Sequence, residues 1–261
     1  METFARDLKA AFGLREKEHV AIVGAGGKTS LMFALARERV LAGSTVLMST
    51  TTKTWQKEAN RAPLLIFTLS DSVWHEKLAE GLKKYKYVFL ARDSLASGKV
   101  QGVSSLEADK LYQRAPADYL ILEADGAAGR PLKAPAIHEP VIPSSATLVV
   151  AMMGLEAIGK KLDPHIVFRM DRFEVLTGLV AGLKLTPEDL FKVFCLPDGL
   201  FKGTPRLARR VAFLNKLDLL SDYQNARKLA DLLIREPKAN IERVIVGSLH
   251  HGEYLISRKK P

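Results

Sequence analysis

Val20-Ala21-Ile22-Val23 runs straight into Gly24-Ala25-Gly26-Gly27, which is followed at once by Lys28-Thr29-Ser30-Leu31. An apolar strand, a glycine turn and a helix opened by Lys-Thr leave the chain few ways to fold locally. Glycines let the backbone bend tightly, so that consecutive N–H groups point inward. The first helical turn adds its own unpaired donors and the positive end of the helix dipole. The product is a phosphate cradle in which Lys28 reaches the β- and γ-phosphates and the Thr29 hydroxyl holds Mg²⁺. The expected ligand is a nucleoside triphosphate, contacted by Gly24, Ala25, Gly26, Gly27, Lys28, Thr29 and Ser30. A glycine turn with no ligand is the plainer alternative, but turning alone does not require Lys-Thr at the helix start.

The spacing departs from the common phosphate-loop pattern. G-x-x-x-x-G-K-[ST] needs glycine at position 22, where the chain has Ile22. The pattern present is G-x-x-G-K-T, two residues shorter and similar to the loop of muramyl-peptide and folylpolyglutamate ligases. A dinucleotide fingerprint needs glycine at position 29 and meets Thr29, which disfavours a nicotinamide or flavin ligand.

Apolar runs alternate with helical patterns along most of the chain. Strands are expected at 19–23, 45–49, 64–69, 87–91, 119–123, 147–152, 211–214 and 243–247, with helices at 29–41, 73–83, 105–114 and 223–235. Near-continuous apolar strands separated by helices predict a three-layer α/β fold of the P-loop nucleotide-binding type, its sheet mostly parallel and covered on both faces. From 155 to 205 the alternation lapses, and helices at 169–184 and 187–194 predict a helical insertion or cap within one domain of 261 residues. Residues 92–103 read as a loop or small hairpin, and Phe4, Leu8 and Phe12 as one face of an N-terminal amphipathic helix.

Composition narrows the function classes. With 47% hydrophobic and 26% charged residues the chain is globular, and its length suffices for a sizeable core. The single cysteine, Cys195, excludes an intrachain disulfide framework and reads as an apolar filler. No apolar run approaches a membrane span, so a soluble cytoplasmic protein is expected. The net charge of +10 favours anionic partners. Yet the clusters Lys83-Lys84, Arg209-Arg210 and Arg258-Lys259-Lys260 are scattered and lack interleaved aromatics. That pattern reads as a solvated basic surface rather than a nucleic-acid interface.

Two further constellations carry chemistry. The strand Tyr119–Glu123 ends in Glu123-Ala124-Asp125, followed by Gly126, Gly129, Arg130 and Lys133. Carboxylates at a strand end beside a phosphate loop hold Mg²⁺ directly or through water. Strand alternation places Glu123 and Asp125 on one side, leaving open which of them does what. Arg130 and Lys133 are expected to neutralise transferring phosphates or grip an anionic substrate, and Lys28, Glu123, Asp125 and Arg130 form the expected catalytic set. A bare salt bridge from the acidic strand end to Arg130 is the alternative. The third constellation is Asn215-Lys216-Leu217-Asp218 at the end of an apolar strand, an N-K-x-D pattern that reads guanine in GTPases. The strand-ending Gly247-Ser248-Leu249 resembles the loop that completes such a base pocket, which favours GTP over ATP or CTP. Ser49-Thr50-Thr51-Thr52-Lys53 follows the second strand, where Thr52 and Lys53 either contact phosphate or merely cap the next segment. His138, His165 and Arg169 have no assigned role, and no spacing argues for zinc.

Together, Gly24–Thr29, Ser49–Lys53, Glu123–Ala127, His138-Glu139-Pro140 and Phe213–Asp218 resemble the YqeC family, described as selenium-dependent hydroxylase accessory proteins. That resemblance implies a bacterial maturation factor for selenium-dependent molybdenum hydroxylases, acting with molybdenum-cofactor-processing proteins or the hydroxylase apoenzyme. The residues alone imply a Mg²⁺-dependent protein that binds GTP or ATP and hydrolyses it slowly. The alternatives are phosphoryl or nucleotidyl transfer onto a small anionic cofactor gripped by Arg130, Lys133 and Lys53, and a non-enzymatic basic module that binds nucleic acid.

Overall fold

A computed structural model describes residues 2–259, which leaves Lys260 of the C-terminal basic cluster outside the described residues. Ten strands form the central sheet: β1 (Glu2–Ala5), β2 (Glu18–Gly24), β3 (Val46–Thr50), β4 (Leu65–Phe67), β5 (Tyr87–Ala91), β6 (Tyr119–Glu123), β7 (Leu148–Gly154), β8 (Arg209–Asn215), β9 (Ile241–Ser248) and β10 (Glu253–Arg258). Their spatial order is β1-β10-β9-β8-β7-β2-β6-β3-β5-β4. From β4 through β9 every neighbouring pair is parallel, and β10 runs antiparallel to both β9 and β1. This is a mixed α/β fold with a mostly parallel sheet, as the alternating pattern predicts.

The strands are apolar throughout because both faces are covered; β2, β6 and β7 are buried along their whole length. Alternation sends Val20 and Ile22 to one face, where they pack with Phe12 of α1 (Leu8–Phe12) and Leu31 and Leu35 of α2 (Lys28–Leu41). Ala21 and Val23 point to the other face. There they join Leu78 of α4 (Trp74–Tyr85), Leu111 of α5 (Ser105–Arg114), Leu190 and Phe194 of α7 (Pro187–Cys195), and Leu229 of α8 (Gln224–Arg235). The short α3 (Gln56–Ala59) follows Lys53–Trp55, which forms a three-stranded side sheet with Lys99–Gln101 and Asp93–Ser94.

Several expectations shift. Phe4 belongs to β1 and is exposed, so no helix includes it; α1 starts at Leu8 because the Asp7 carboxylate caps it by accepting from the Ala10 amide at 2.7 Å. The helix expected over 169–184 stops early: α6 (Met170–Thr177) ends where Gly178 takes a left-handed φ of 76°. After that turn, Thr186 and Asp189 form the capping box that starts α7. Within residues 155–205, Leu190, Val193 and Phe194 of α7 enter the same core as β7 and α8. Cys195 is half-buried, and burial pushes its thiol up to about 12, which suits a filler and not a nucleophile. Among the described residues no helix is long and apolar enough to cross a membrane.

Chain order explains where ligands belong. From β2 the chain moves to one side through β3, β4 and β5, returns beside β2 as β6, and only then crosses to β7, β8 and β9 on the other side. The carboxyl ends of β6, β2 and β7 therefore flank a topological switch point, the usual ligand crevice of open parallel sheets.

At the opposite end of β2, His19 is wholly buried with Nδ1 2.9 Å from Ser145 Oγ, and burial brings its pKa down to about 4 despite the Asp109 charge. The unfolded imidazole titrates near 6.5, so the neutral ring favours the fold fully above that pH and loses this contribution as pH falls toward 4. Between pH 7 and 4.5 the protein should lose on the order of 3 kcal/mol more stability than His19→Phe, read by urea unfolding at each pH.

Candidate functional site

The turn after β2 is built from glycines in left-handed conformations, with φ of 94° at Gly24, 78° at Gly26 and 118° at Gly27. The end of β7 presses against it. A Cβ on Gly24 would lie 2.2 Å from the Met152 carbonyl oxygen, and one on Gly26 would lie 2.1 Å from the Gly154 nitrogen. The Ala25 amide donates to Met152 O at 2.8 Å and the Gly26 amide to Arg130 O at 3.2 Å. Those two N–H groups, expected on a phosphate, are thus committed to the fold. The donors left without a protein acceptor among the described residues are the amides of Gly27, Lys28, Thr29 and Ser30, at the N-terminus of the 14-residue α2. These amides begin half a turn later than the row the sequence suggested.

Side chains converge on this cradle from β6 and the loop after it. Thr29 Oγ1 donates to Glu123 Oε1 at 2.7 Å. Burial raises the Glu123 pKa, and Lys28 and the Thr29 hydroxyl oppose that rise. Asp125 lies one residue beyond the turn out of the strand, accepts from the Gly24 amide at 3.0 and 3.1 Å, and pairs with Lys28 Nζ at 3.2 Å. Lys28 Nζ also donates to Gly24 O at 2.6 Å, so its ammonium lies across the inside of the turn. Thr29 and Glu123 offer two hard oxygens side by side, a donor set that suits Mg²⁺ when phosphate oxygens complete it. Among the described residues no cluster of three or more His, Cys, Asp or Glu forms a self-sufficient metal site.

Two cations named from sequence take different parts. Lys133 is fully buried, and its ammonium meets Gly126 O and Glu139 Oε2 at 2.6 Å each and Asp125 Oδ2 at 2.9 Å. It holds Asp125 and cannot reach a substrate. Arg130 supplies its backbone carbonyl to the Gly26 amide, and the described ion pairs of Asp125 are with Lys28 and Lys133, not with Arg130. Thr52 donates its amide to Thr50 Oγ1 at 3.1 Å, while Lys53 stands exposed on the side sheet. His138 and His165 are exposed as well.

Sequence reasoning did not single out Glu139 and Arg169 as partners. The Arg169 guanidinium forks onto the Glu139 carboxylate, with Nη2–Oε1 at 3.0 Å and Nη1 on Oε2. Burial alone would raise the Glu139 pKa, but the hydrogen bonds and charges of Arg169 and Lys133 outweigh it and hold the carboxyl near about 2. The signal was there in His138-Glu139-Pro140, but the partner lies 30 residues away.

The N-K-x-D segment closes the other flank. Asn215 Nδ2 donates to Gly26 O at 2.9 Å, and the Leu249 amide donates to Asn215 Oδ1 at 3.1 Å. One side chain thereby joins the glycine turn to the loop after β9. Asp218 is exposed, and a hydrogen bond from the Ser248 hydroxyl lowers its pKa. Lys216, at a left-handed φ of 66°, pairs with Glu156 just past β7.

A model of the YqeC protein family matches residues 20–171, the stretch that holds the glycine turn, Glu123, Asp125, Lys133, Glu139 and Arg169. A protein of Escherichia coli (strain K12), named "Uncharacterized protein YqeC", is 35% identical over 239 residues, covering 92% of this chain and 90% of that protein. With that much of its length matched, and with the charged residues of the crevice inside the matched stretch, the chain belongs to the YqeC family.

Proposed function

We propose that the crevice at β2, β6 and β7 is a P-loop-type site that binds a Mg²⁺–nucleoside triphosphate, GTP in preference to ATP or CTP, and hydrolyses it slowly. The observation that carries this reading is the row of four amides, Gly27 to Ser30, that have no protein acceptor among the described residues, in the same turn as the Thr29–Glu123 hydrogen bond and the Lys28 ammonium. Backbone donors at a helix N-terminus favour phosphate oxygens by both hydrogen bonding and dipole. Thr29 and Glu123 would hold Mg²⁺, which when bound supplies charge neutralisation between the phosphates. Lys28 neutralises the outer phosphates once it swings off Gly24 O. The Arg169 guanidinium is forked onto Glu139, so it does not stand ready to stabilise charge in the transition state. Slow turnover follows, since such a guanidinium supplies much of the rate in fast phosphoryl-transfer sites.

Guanine is favoured because Asp218 is ionised, exposed and steadied by Ser248, next to the Asn215 link between the two loops. A carboxylate there accepts from the ring N–H and amino group of guanine, which adenine and cytosine do not present in that arrangement. The cellular setting we propose is the family's implied one, maturation of selenium-dependent molybdenum hydroxylases together with cofactor-processing proteins or the apoenzyme. The test is equilibrium binding of GTP, ATP and CTP with Mg²⁺ to the full chain and to Asp218→Asn. GTP should bind most tightly, and Asp218→Asn should weaken it about tenfold or more while ATP is unmoved. Unchanged GTP affinity removes the guanine claim; no binding of any triphosphate removes the site.

A further inference from the structure

Lys28, Asp125, Lys133, Glu139 and Arg169 form an unbroken file of alternating charge, from the glycine turn to the cap of α6. Its contacts are unequal. Lys133 stands 2.6 Å from Glu139 and 2.9 Å from Asp125, whereas Lys28 stands 3.2 Å from Asp125. Asp125 therefore leans toward Lys133, and Lys28 is the loosest member. It is also the member that an incoming triphosphate must recruit. The four inner side chains are at most 6% exposed and Arg169 is 25% exposed. In such surroundings each charge grips one neighbour more tightly when its other neighbour is removed.

We infer that Glu139 and Arg169 are positioning residues for Lys28, setting through Lys133 and Asp125 how firmly its ammonium is held back from the phosphates. The inference rests on the nucleotide reading above and gives two residues of that same site a task. Without Arg169, Glu139 draws Lys133 to itself, Asp125 turns to Lys28, and triphosphate affinity falls. With Glu139 neutralised, Lys133 turns wholly to Asp125, Lys28 is released, and affinity rises. A loss of local structure would weaken binding in both variants, so the opposed signs already separate positioning from folding.

A simple electrostatic field gives the same two signs, and the double variant distinguishes it from the file. Arg169 can act on Lys28 only by way of Glu139, so its removal must be silent once Glu139 is neutral; field effects simply add. The experiment is calorimetric titration of Mg²⁺–GTP into the full chain as wild type, Arg169→Met, Glu139→Gln and the double variant, each checked by thermal unfolding. Arg169→Met keeps bulk over Phe168, whose ring the guanidinium covers at 4.6 Å. Affinity should fall about fivefold for Arg169→Met, rise about fivefold for Glu139→Gln, and match Glu139→Gln in the double variant, within the range of couplings between contacting residues. Additive effects, or weakening in both single variants, overturn the inference and leave the nucleotide site standing. A wild type that binds no triphosphate overturns both. If Glu139→Gln does not fold, Glu139→Met takes its place, alone and with Arg169→Met, and the same outcomes decide: a double variant that matches Glu139→Met supports the file, and additive effects overturn it.

Discussion

Lys28→Ala should abolish measurable binding of Mg²⁺–triphosphate while the chain stays folded. Lys28 is the only ammonium in contact with the inside of the glycine turn among the described residues, 2.6 Å from Gly24 O, and its stem is buried at the start of α2. Two charge-assisted hydrogen bonds to phosphate oxygens, each contributing about 1.5–3 kcal/mol, make the expected loss roughly 100-fold to 10⁴-fold in Kd. Asp125 loses one partner but keeps Lys133 and the Gly24 amide, so the stability cost should stay near 1–3 kcal/mol. Titration of labelled GTP, with the thermal transition of the same sample as control, measures both. Near-native affinity in a folded Lys28→Ala would mean that the amides of Gly27 to Ser30 do not face a phosphate.

Where local pattern and final structure share one cause, the site was readable in advance. Val20 to Val23 is apolar because β2 lies inside a sheet covered on both faces; Gly24 and Gly26 are glycines because β7 leaves no room for a Cβ, and all three turn glycines, Gly27 included, have left-handed φ angles. Both facts sit in adjacent residues. The convergence of Glu123 and Asp125 was also foreseeable, although Asp125 reaches the turn from a loop and not by strand alternation. The two strands beyond β9, β10 and β1, were less visible. β10 draws its order from partners at both ends of the chain, pairing with β1 across Phe4–Leu255 and with β9 across Ile245–Ile256. Nothing in Glu253–Arg258 alone announces such neighbours.

Charge misled in a more instructive way. Lys133 and Arg130 look alike in sequence, two cations after an acidic strand end, and both were expected on a substrate. The structure buries one completely between two carboxylates, while the other gives its backbone carbonyl to the Gly26 amide and is absent from the described ion pairs of Asp125. Sequence shows the sign of a charge but not its burial, and burial decides whether an ammonium meets solvent, ligand or an internal anion. Glu139 and Arg169 were hidden for the same reason. Their pairing depends on the loop after β6 and the left-handed Arg169 at the cap of α6 arriving at one point.

That burial sets the size of a second expected result, in which Lys133→Met costs the fold about 3–5 kcal/mol. Methionine matches the stem but removes a cation with three acceptors, leaving Asp125 and Glu139 facing each other across an uncompensated gap. For a chain of this length the loss corresponds to a melting temperature lower by roughly 10 °C or more. The sign with pH can be worked out from Glu139. Its folded carboxyl is held near about 2, below the unfolded value of about 4.3, so its charged form supports the wild type above pH 4 and that support fades as pH falls toward 2. Lys133→Met forfeits much of this support at neutral pH, so the gap between the two proteins should narrow as the pH drops through that window. Urea unfolding at pH 7, 4 and 3 follows it directly. A deficit independent of pH would assign the cost to lost packing and not to the uncompensated carboxylates, and a deficit under 1 kcal/mol would mean that Lys28 and Arg169 alone suffice to hold the two anions in place.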